Sequence, residues 1–232
     1  MNNGPMKVAV VIPALNEQAA LPLVLADLPW SLLERVVVAD NGSTDDTAAL
    51  AKSGGAEVVH EARRGYGSAC LAGLAHLEAA PPEVVVFLDA DYSDHPEELS
   101  ALIAPIRDEQ VEMVIGSRVL GNREAGALLP QARVGNWLAC TLLRWLYRVH
   151  YTDLGPFRAI RWSSLRALEM VDTNYGWTVE MQVKAARRGL PYMEVPVSYR
   201  RRVGKSKITG TIRGTLSAGT KILWTIFRYA RS

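Results

Sequence analysis

The sequence is poor in cysteine and has no long apolar run, and each absence excludes a class of protein. Its two cysteines, Cys70 and Cys140, cannot build a disulfide framework and lack the spacing of metal ligands. Both stand among apolar residues, so we expect two buried free thiols. No stretch of about 18 apolar residues predicts a membrane-spanning helix, and the first residues lack the apolar core of a signal peptide. We therefore expect a cytoplasmic protein, either free or at the cytoplasmic face of a membrane.

The sequence does contain enough apolar material for one sizeable globular domain. Of its 232 residues, 49% are hydrophobic and 22% are charged, and the net charge is +2. This charge is unevenly distributed. Residues 1–116 carry 6 Lys and Arg against 18 Asp and Glu, and the remainder carries 20 against 6. The acidic half suits a metal ion, and the basic half suits phosphate groups or an anionic membrane. The alternative is that the two halves merely differ in surface charge, without a ligand for either.

The first half of the chain alternates short β-branched runs with helical periodicity. Strands are predicted at 8–12, 36–39, 58–59, 84–88 and 113–115, and helices at 17–28, 47–52 and 67–77. This alternation predicts an α/β fold with a mostly parallel sheet and helices on its faces. Such sheets bind ligands beyond the carboxyl ends of their strands, where Pro13, Asp40 and Asp89 fall.

The second half contains two amphipathic helical patterns with basic residues. Residues 134–149 repeat apolar side chains at helical spacing, with Arg144 and Arg148 among them. Residues 208–231 form a second apolar stripe, and the chain from position 195 onward has nine basic residues and no acidic one. A helix of this kind lies on a membrane surface, docks on its own domain or pairs with a second copy of the chain. The pattern alone leaves these three alternatives open.

The segment Asp89-Ala90-Asp91 is the strongest candidate for chemistry. Two carboxylates at the end of a buried strand require a cation or strong hydrogen-bond donors. Their oxygens suit Mg²⁺ or Mn²⁺, which complete their coordination with phosphate oxygens and water. The alternative is that the pair caps a helix, a role that we expect instead for Asp94, just before Pro96.

Three other polar segments have more than one interpretation. Asp40 closes the second predicted strand and either binds a base or ribose or only braces the turn. Segment 63–67 lacks the full glycine spacing of a dinucleotide fingerprint, which argues against an oxidoreductase. The basic loop at 200–207 suits phosphate, although a solvated turn has the same composition. Aromatic residues do not interleave with this loop, so nucleic acid is not predicted as a partner.

Taken in order, these segments resemble the family 2 glycosyltransferases of the GT-A fold. Within that family the sequence is most similar to dolichyl- and polyprenyl-phosphate mannose synthases and related enzymes. Six motifs spread over nearly the whole chain carry the resemblance. They are 10–17, 38–47, Leu88-Asp89-Ala90-Asp91, Gly116-Ser117-Arg118 with Arg133, 152–159 and 201–207. The resemblance implies inverting transfer of a sugar from a UDP- or GDP-linked donor to an acceptor, foremost a polyprenyl phosphate, with Mg²⁺ or Mn²⁺ as cofactor.

The resemblance also assigns roles to individual residues. The expected donor-binding residues are Pro13, Ala14, Glu17, Asp40, Asp89, Ala90 and Asp91. The expected phosphate-binding residues are Arg118, Arg133, Arg201, Ser206 and Lys207. Asp89 and Asp91 are expected to hold the metal ion and, together with Asp153, to be the catalytic residues.

Two positions depart from the resembled enzymes. The acceptor and the need for a general base stay open. Ser93 stands where the mannose synthases commonly have Gln, and Pro156 replaces a small residue. An anionic acceptor needs no general base, whereas a hydroxyl acceptor needs one, for which Asp153 and Glu180 are candidates. The alternatives are therefore a same-fold transferase for a soluble hydroxyl compound and a non-catalytic sugar-nucleotide-binding protein.

The resemblance predicts two regions in the chain. Residues 1–207 are expected to form the GT-A domain, and residues 208–232 the C-terminal amphipathic helix. If the acceptor is a lipid, we expect peripheral membrane contact through 134–149 and 208–231.

Overall fold

The computed structural model describes residues 6–204 and 212–230, in which seven strands form one sheet. The strands are Val8–Ala14 (β1), Arg35–Asp40 (β2), Glu57–His60 (β3), Val84–Phe87 (β4), Met113–Ser117 (β5), Arg158–Arg161 (β6) and Tyr192–Pro196 (β7). Their order across the sheet is β3-β2-β1-β4-β6-β5-β7. Strand β6 is antiparallel to both neighbours and the other pairs are parallel. The prediction of a mostly parallel sheet is confirmed.

Eight helices flank the sheet in the described part of the chain. They are Leu21–Asp27 (α1), Thr47–Ser53 (α2), Tyr66–Leu77 (α3), Leu99–Arg107 (α4), Pro130–Tyr147 (α5), Trp162–Leu168 (α6), Trp177–Arg187 (α7) and Ile212–Ala230 (α8). No helix within residues 6–204 and 212–230 is long and apolar enough to cross a membrane. The predicted boundary between 207 and 208 lies outside the described residues.

Helices cover both faces of the sheet, as the side chains of β1 demonstrate. Val10 and Ile12 lie in an apolar cluster with α1 and α4, whereas Ala9 and Val11 lie in a second cluster with α3, α5 and α7. A strand that is buried on both faces is a continuous apolar run in the sequence. For this reason β1 could be predicted. Cys70 and Cys140 are buried in the second cluster as free thiols, as predicted.

The C-terminal helix α8 packs against the domain through α5 and α7. The Tyr147 hydroxyl on α5 donates a hydrogen bond of 2.5 Å to the carbonyl oxygen of Ile226. The Tyr229 hydroxyl on α8 donates one of 2.7 Å to the carboxylate of Glu180 on α7. Docking of this helix on its own domain, one of the three alternatives from the sequence, is therefore observed.

The expected role of Asp94 as a helix cap is wrong. The helical turn Pro96–Glu98 begins after His95 and receives no capping hydrogen bond from a side chain. The Asp94 carboxylate is buried, and neither of its oxygens has a hydrogen-bond partner among the described residues. Burial, together with the charge of Asp89, raises the pKa of Asp94 to about 7.

Candidate active site

A pocket of about 270 Å³ lies at the carboxyl ends of β1, β2 and β4. These strands are neighbours in the sheet, and Ala14 at the end of β1 pairs with Asp40 at the end of β2. The loops that follow the strands therefore meet at one edge, as expected for a parallel sheet. Six of the seven expected donor-binding residues line the pocket: Pro13, Ala14, Glu17, Asp89, Ala90 and Asp91.

The loop after β1 is fixed to the loop after β2, which preorganises one wall of this pocket, called the donor pocket after the role expected for its residues. The backbone N–H of Asn16 donates to Ser43 Oγ at 2.9 Å, and the Asn16 side chain accepts from the N–H of Thr44 at 2.8 Å. The N–H of Glu17 donates to Thr47 Oγ1 at 2.8 Å. Two motifs that are 30 residues apart in sequence thus form one hydrogen-bonded unit.

Asp40 is the expected donor-binding residue that the structure does not place in the pocket lining. Its buried carboxylate accepts a hydrogen bond from the N–H of Ser43 at 3.1 Å and lies 3.1 Å from His60 Nδ1. The next residue, Asn41, lines the pocket instead. The geometry of Asp40 is that of a residue that braces the turn, which is the second interpretation that the sequence allowed.

The two carboxylates of the Asp89-Ala90-Asp91 segment reach the pocket with different partners. Asp89 Oδ1 accepts a hydrogen bond from the Tyr66 hydroxyl at 3.0 Å. Asp91 Oδ1 accepts from both the N–H and the hydroxyl of Ser93, at 2.9 Å and 2.5 Å, and Asp91 Oδ2 pairs with the Arg202 guanidinium. Burial raises the pKa of Asp89, against the effects of Tyr66 and Arg202. Ser93 thus orients a carboxylate of the motif.

The two carboxylates fit a divalent cation that takes its other ligands from elsewhere. In the described ranges, no group of three or more His, Cys, Asp and Glu side chains is arranged to hold a metal ion. Asp89 and Asp91 would therefore supply only part of a coordination shell. Mg²⁺ and Mn²⁺ are bound in this way, with one or two carboxylates plus phosphate oxygens and water.

Asp153 forms a buried ion pair with Arg118. Asp153 Oδ2 accepts from the backbone N–H and from Nε of Arg118, both at 2.8 Å, and Oδ1 accepts from Nη2 at 2.7 Å. Burial disfavours the Asp153 anion, but the charge and hydrogen bonds of Arg118 prevail and hold the pKa below its ordinary value. Both oxygens of this expected catalytic residue are engaged with Arg118.

A groove of about 550 Å³ adjoins the donor pocket, and Arg202 lines both. Arg118, Arg201 and Arg202 give the groove a cationic region. Its apolar lining comes from the segment before α5, from the loop before β6 and from α8. The residues are Leu128, Leu129, Leu154, Ala218 and Ile222. Among the described residues that line it, none is acidic. We call it the acceptor groove, after the role proposed for it below.

The expected phosphate-binding residues are only partly brought together. Arg118 and Arg201 line the acceptor groove, whereas Arg133 faces a separate cavity of about 650 Å³ that it shares with Arg123 and Arg144. Asn136 lines both spaces. Ser206 and Lys207 lie outside the described residues.

Several residues that line the donor pocket were not expected to do so. They are Leu15, Asn41, Arg64, Gly65, Tyr66, Ala69, Asn174, Tyr175 and Arg202. The sequence suggested segment 63–67 only as an incomplete dinucleotide fingerprint. Its Arg64 and Tyr66 are the larger side chains that this segment contributes to the pocket lining. Arg202 belongs to the predicted basic loop, but its contact with Asp91 spans 111 residues. Asn174 and Tyr175 follow no motif, so the sequence carried no signal for them.

Comparison with known proteins identifies relatives along most of the chain. The family model described as Glycosyl transferase family 2 matches residues 9–168. An uncharacterised glycosyltransferase of Mycobacterium tuberculosis is 41% identical over 213 residues, which cover 91% of this chain and 94% of the relative. The undecaprenyl-phosphate mannosyltransferase of Micrococcus luteus is 32% identical over 221 residues, 90% of each chain.

A solved structure with the same fold is glucosyl-3-phosphoglycerate synthase from Mycobacterium tuberculosis, crystallised with Mn²⁺, UDP and glucosyl-3-phosphoglycerate. The TM-score is 0.76 at 24% sequence identity, and the match covers 97% of this chain and 80% of that one. The expected GT-A fold is thereby confirmed. Since the family model matches more than half of the sequence, the chain belongs to glycosyl transferase family 2.

Proposed function

We propose that this protein is a metal-dependent inverting glycosyltransferase that moves a sugar from a nucleoside diphosphate to a polyprenyl phosphate. The observation that carries the proposal is the position of Arg202. Its guanidinium contacts Asp91 in the donor pocket and also lines the acceptor groove. A donor diphosphate and an acceptor phosphate would therefore meet on either side of one cation.

The donor pocket suits the diphosphate of a nucleotide sugar. Arg64 and Arg202 supply positive charge beside Asp89 and Asp91. The loops after β1 and β2 provide backbone groups for a base or ribose, whereas the Asn41 side chain is hydrogen-bonded to the backbone of residues 61–65. A Mg²⁺ or Mn²⁺ ion held by Asp89 and Asp91 would supply further positive charge to the diphosphate as its bond to the sugar breaks. The Mn²⁺ in the crystallised glucosyl-3-phosphoglycerate synthase agrees with this assignment.

The acceptor groove suits a phosphate attached to an apolar chain. Its arginines can bind a phosphate through guanidinium hydrogen bonds, and Leu128, Leu154 and Ile222 offer surface to isoprene units. The mannosyltransferase of Micrococcus luteus, whose name specifies undecaprenyl phosphate, supports this choice of acceptor. Lipid and headgroup would thus occupy different parts of one groove.

The lack of an acidic residue among the described lining of the groove favours an acceptor that needs no general base. Both oxygens of Asp153 bind Arg118, and Glu180 is buried and bonded to Lys184 and Tyr229. A polyprenyl phosphate is already anionic near neutral pH. Its oxygen would form the new bond to the anomeric carbon while the bond to the donor diphosphate breaks on the opposite face. The departing electron pair would stay on the diphosphate, where Arg202 stabilises it.

The surface of α5 and α8 supports peripheral contact with a membrane. Trp137 and Trp145 on α5 and Trp224 on α8 are 66%, 77% and 51% exposed. Neither helix contains an acidic residue, and Arg133 and Arg144 lie among the exposed apolar side chains of α5. Interfacial helices that bind anionic lipids combine Trp with basic residues in this way. A polyprenyl phosphate would then enter the groove from the bilayer.

The second candidate function is transfer to a small soluble acceptor that carries phosphate. The cavity that Arg123, Arg133 and Arg144 share favours it, because three cations suit a compact polyanion. Such a hydroxyl acceptor would require a base, and Asp153 would have to leave Arg118 to serve as one.

The experiment that tests the proposal is a donor screen with membranes. Purified protein, membranes and labelled UDP- and GDP-sugars are incubated with Mn²⁺, and the organic extract is counted. We expect label in the extract with one donor, its loss with EDTA, and its loss in Asp91→Asn. Label transferred equally well without any lipid would instead support the soluble acceptor, and no product from any donor would contradict both.

A further inference from the structure

The loop at residues 171–176, between α6 and α7, carries two residues into the donor pocket. Asn174 and Tyr175 line the pocket, although they belong to none of the family motifs. The conformation of this loop therefore decides the shape of one wall of the pocket. What holds the loop is consequently relevant to donor binding.

Two buried carboxylates shape the loop through its backbone. Glu180 Oε2 accepts hydrogen bonds from the N–H groups of Val171 and Asp172, at 3.2 Å and 2.7 Å. Asp172 Oδ1 accepts from the N–H groups of Asn174 and Gly176, at 2.8 Å and 3.2 Å. The Val171 N–H also reaches Glu180 Oε1, at 3.3 Å, so the two carboxylates together fix the turn that presents Asn174 and Tyr175.

The second oxygen of each carboxylate is held by α8. Lys221 Nζ lies 2.8 Å from Asp172 Oδ2, and the Tyr229 hydroxyl donates to Glu180 Oε1 at 2.7 Å. Lys184 on α7 also contacts Glu180 Oε1, at 2.9 Å. Lys221 and Tyr229 are eight residues apart on α8, so they lie on the same side of the helix.

The loop is also fixed on its other side, where it contacts the start of α3. The N–H of Ser68 donates to the carbonyl oxygen of Thr173 at 2.9 Å. A Cβ added to Gly65 or Gly67 would lie 2.1 Å or 2.0 Å from the carbonyl oxygens of Thr173 and Asp172. The loop is therefore confined between α3, which carries Tyr66, and the two side chains of α8.

We propose that Lys221 and Tyr229 are positioning residues for the nucleotide-sugar donor. They fix the carboxylates of Asp172 and Glu180, and through them the loop that places Asn174 and Tyr175 against the donor. The C-terminal helix is then part of the donor site, although neither of these two residues lines the pocket. This inference rests on the proposed function, because it takes the pocket to be the site of a nucleotide sugar.

The test is calorimetric titration of the whole protein with UDP-glucose and GDP-mannose in the presence of Mn²⁺ and without acceptor. We expect Lys221→Met to weaken binding of the preferred donor by roughly tenfold, within the usual range for coupling between sites. Lys221→Arg keeps the cation next to Asp172, so it should restore most of the affinity. Thermal unfolding of each variant verifies that it is folded.

A matched pair of tyrosines separates positioning from general support of α8. Tyr229→Phe and Tyr147→Phe each remove one hydroxyl whose hydrogen bond joins α8 to a neighbouring helix. Only the Tyr229 hydroxyl reaches a carboxylate that shapes the loop. We expect Tyr229→Phe to weaken donor binding several-fold and Tyr147→Phe to leave it within twofold of the unaltered protein.

Donor binding by Lys221→Met and Tyr229→Phe within twofold of the unaltered protein would overturn the inference and leave the proposed function standing. Equal losses in Tyr229→Phe and Tyr147→Phe would also overturn it. If the unaltered protein itself binds neither these nor other UDP- and GDP-sugars, the proposed function fails first.

Discussion

Individual side chains at the site differ in how their charges are compensated, and the roles that we propose for Asp91 and Asp153 follow from this difference. Asp91 keeps its place through Ser93 and shares its second oxygen with Arg202, at the wall of an open pocket. Asp153 has both oxygens engaged by Arg118 and no exposed surface. A cation can therefore reach the first carboxylate far more readily than the second.

We expect Asp91→Asn to abolish the stabilisation that Mn²⁺ and donor together give to the folded protein. A ligand at 100 times its Kd raises the free energy of unfolding by about 2.7 kcal/mol. Without the Asp91 charge the cation no longer links protein and diphosphate, so most of this gain disappears. The measurement is the unfolding temperature with donor, with and without Mn²⁺. Asp108→Asn, at an exposed carboxylate after α4 and outside the pocket, is the control and should behave like the unaltered protein.

We expect Asp153→Asn to destabilise the fold strongly, because it leaves the buried Arg118 guanidinium without its anion. Removing one partner of a buried ion pair costs about 3–5 kcal/mol. The cost in Arg118→Met/Asp153→Asn should be well below the sum of the two single changes, as measured by urea unfolding at pH 7. Additive costs would contradict a direct coupling of the pair.

The same ion pair makes the free energy of unfolding depend on pH. The folded-state pKa of Asp153 is lowered, so its contribution to stability is present above the unfolded pKa of about 3.9 and is lost as pH falls through the folded value. We expect the unfolding free energy of the unaltered protein to fall more steeply below pH 4 than that of Asp153→Asn. Parallel pH profiles would exclude Asp153 as a source of acid sensitivity.

At the scale of elements, the sequence predicted β1 to β5 from their apolar runs and missed β6 and β7. Strand β1 is buried on both faces and was recognised from its composition. Strand β6 begins with Arg158, which is fully buried and donates to the carbonyl oxygens of Leu154, Gly155 and Thr178. Backbone carbonyls are present at every residue, so a charge compensated by them leaves no pattern of partner side chains in the sequence, and its burial could not be predicted.

We expect Gly67→Ala to force α3 and the loop at residues 171–176 apart. The new Cβ would lie 2.0 Å from a backbone oxygen, and overpacking of this kind costs about 1–3 kcal/mol. Donor affinity should fall along with stability. Gly135→Ala on α5, where a Cβ meets nothing within 4 Å, should instead raise the free energy of unfolding. Chemical unfolding of both variants measures the contrast.

We expect Trp145→Ser and Trp224→Ser each to lower binding to vesicles that contain anionic lipid. Burying a large apolar side chain contributes about 1.5–3 kcal/mol, so the loss should be tenfold or more. Leu23→Ser on α1, exposed on the other face of the sheet, should leave binding unchanged. Cosedimentation with vesicles is the measurement, and equal binding by all three variants would remove α5 and α8 from the contact surface.

At the scale of the whole molecule, the uneven charge of the sequence corresponds to the two halves of the site. The acidic first half supplies Asp89 and Asp91, and the basic second half supplies the arginines of the acceptor groove. The order of motifs predicted which strand ends would line the pocket. It could not predict that Arg202 would join the two spaces or that Arg133 would face a different cavity, because both depend on how distant segments pack.

The acceptor that we propose is a phosphate on an apolar chain. The most direct test of this proposal compares initial rates of sugar transfer to a polyprenyl phosphate, to the corresponding free polyprenol and to 3-phosphoglycerate, with the donor found in the screen and Mn²⁺. We expect transfer to the polyprenyl phosphate alone, since the groove offers arginines for phosphate, apolar walls for isoprene and no acidic residue in its described lining. Transfer to the free alcohol or to 3-phosphoglycerate, with none to the polyprenyl phosphate, would contradict it.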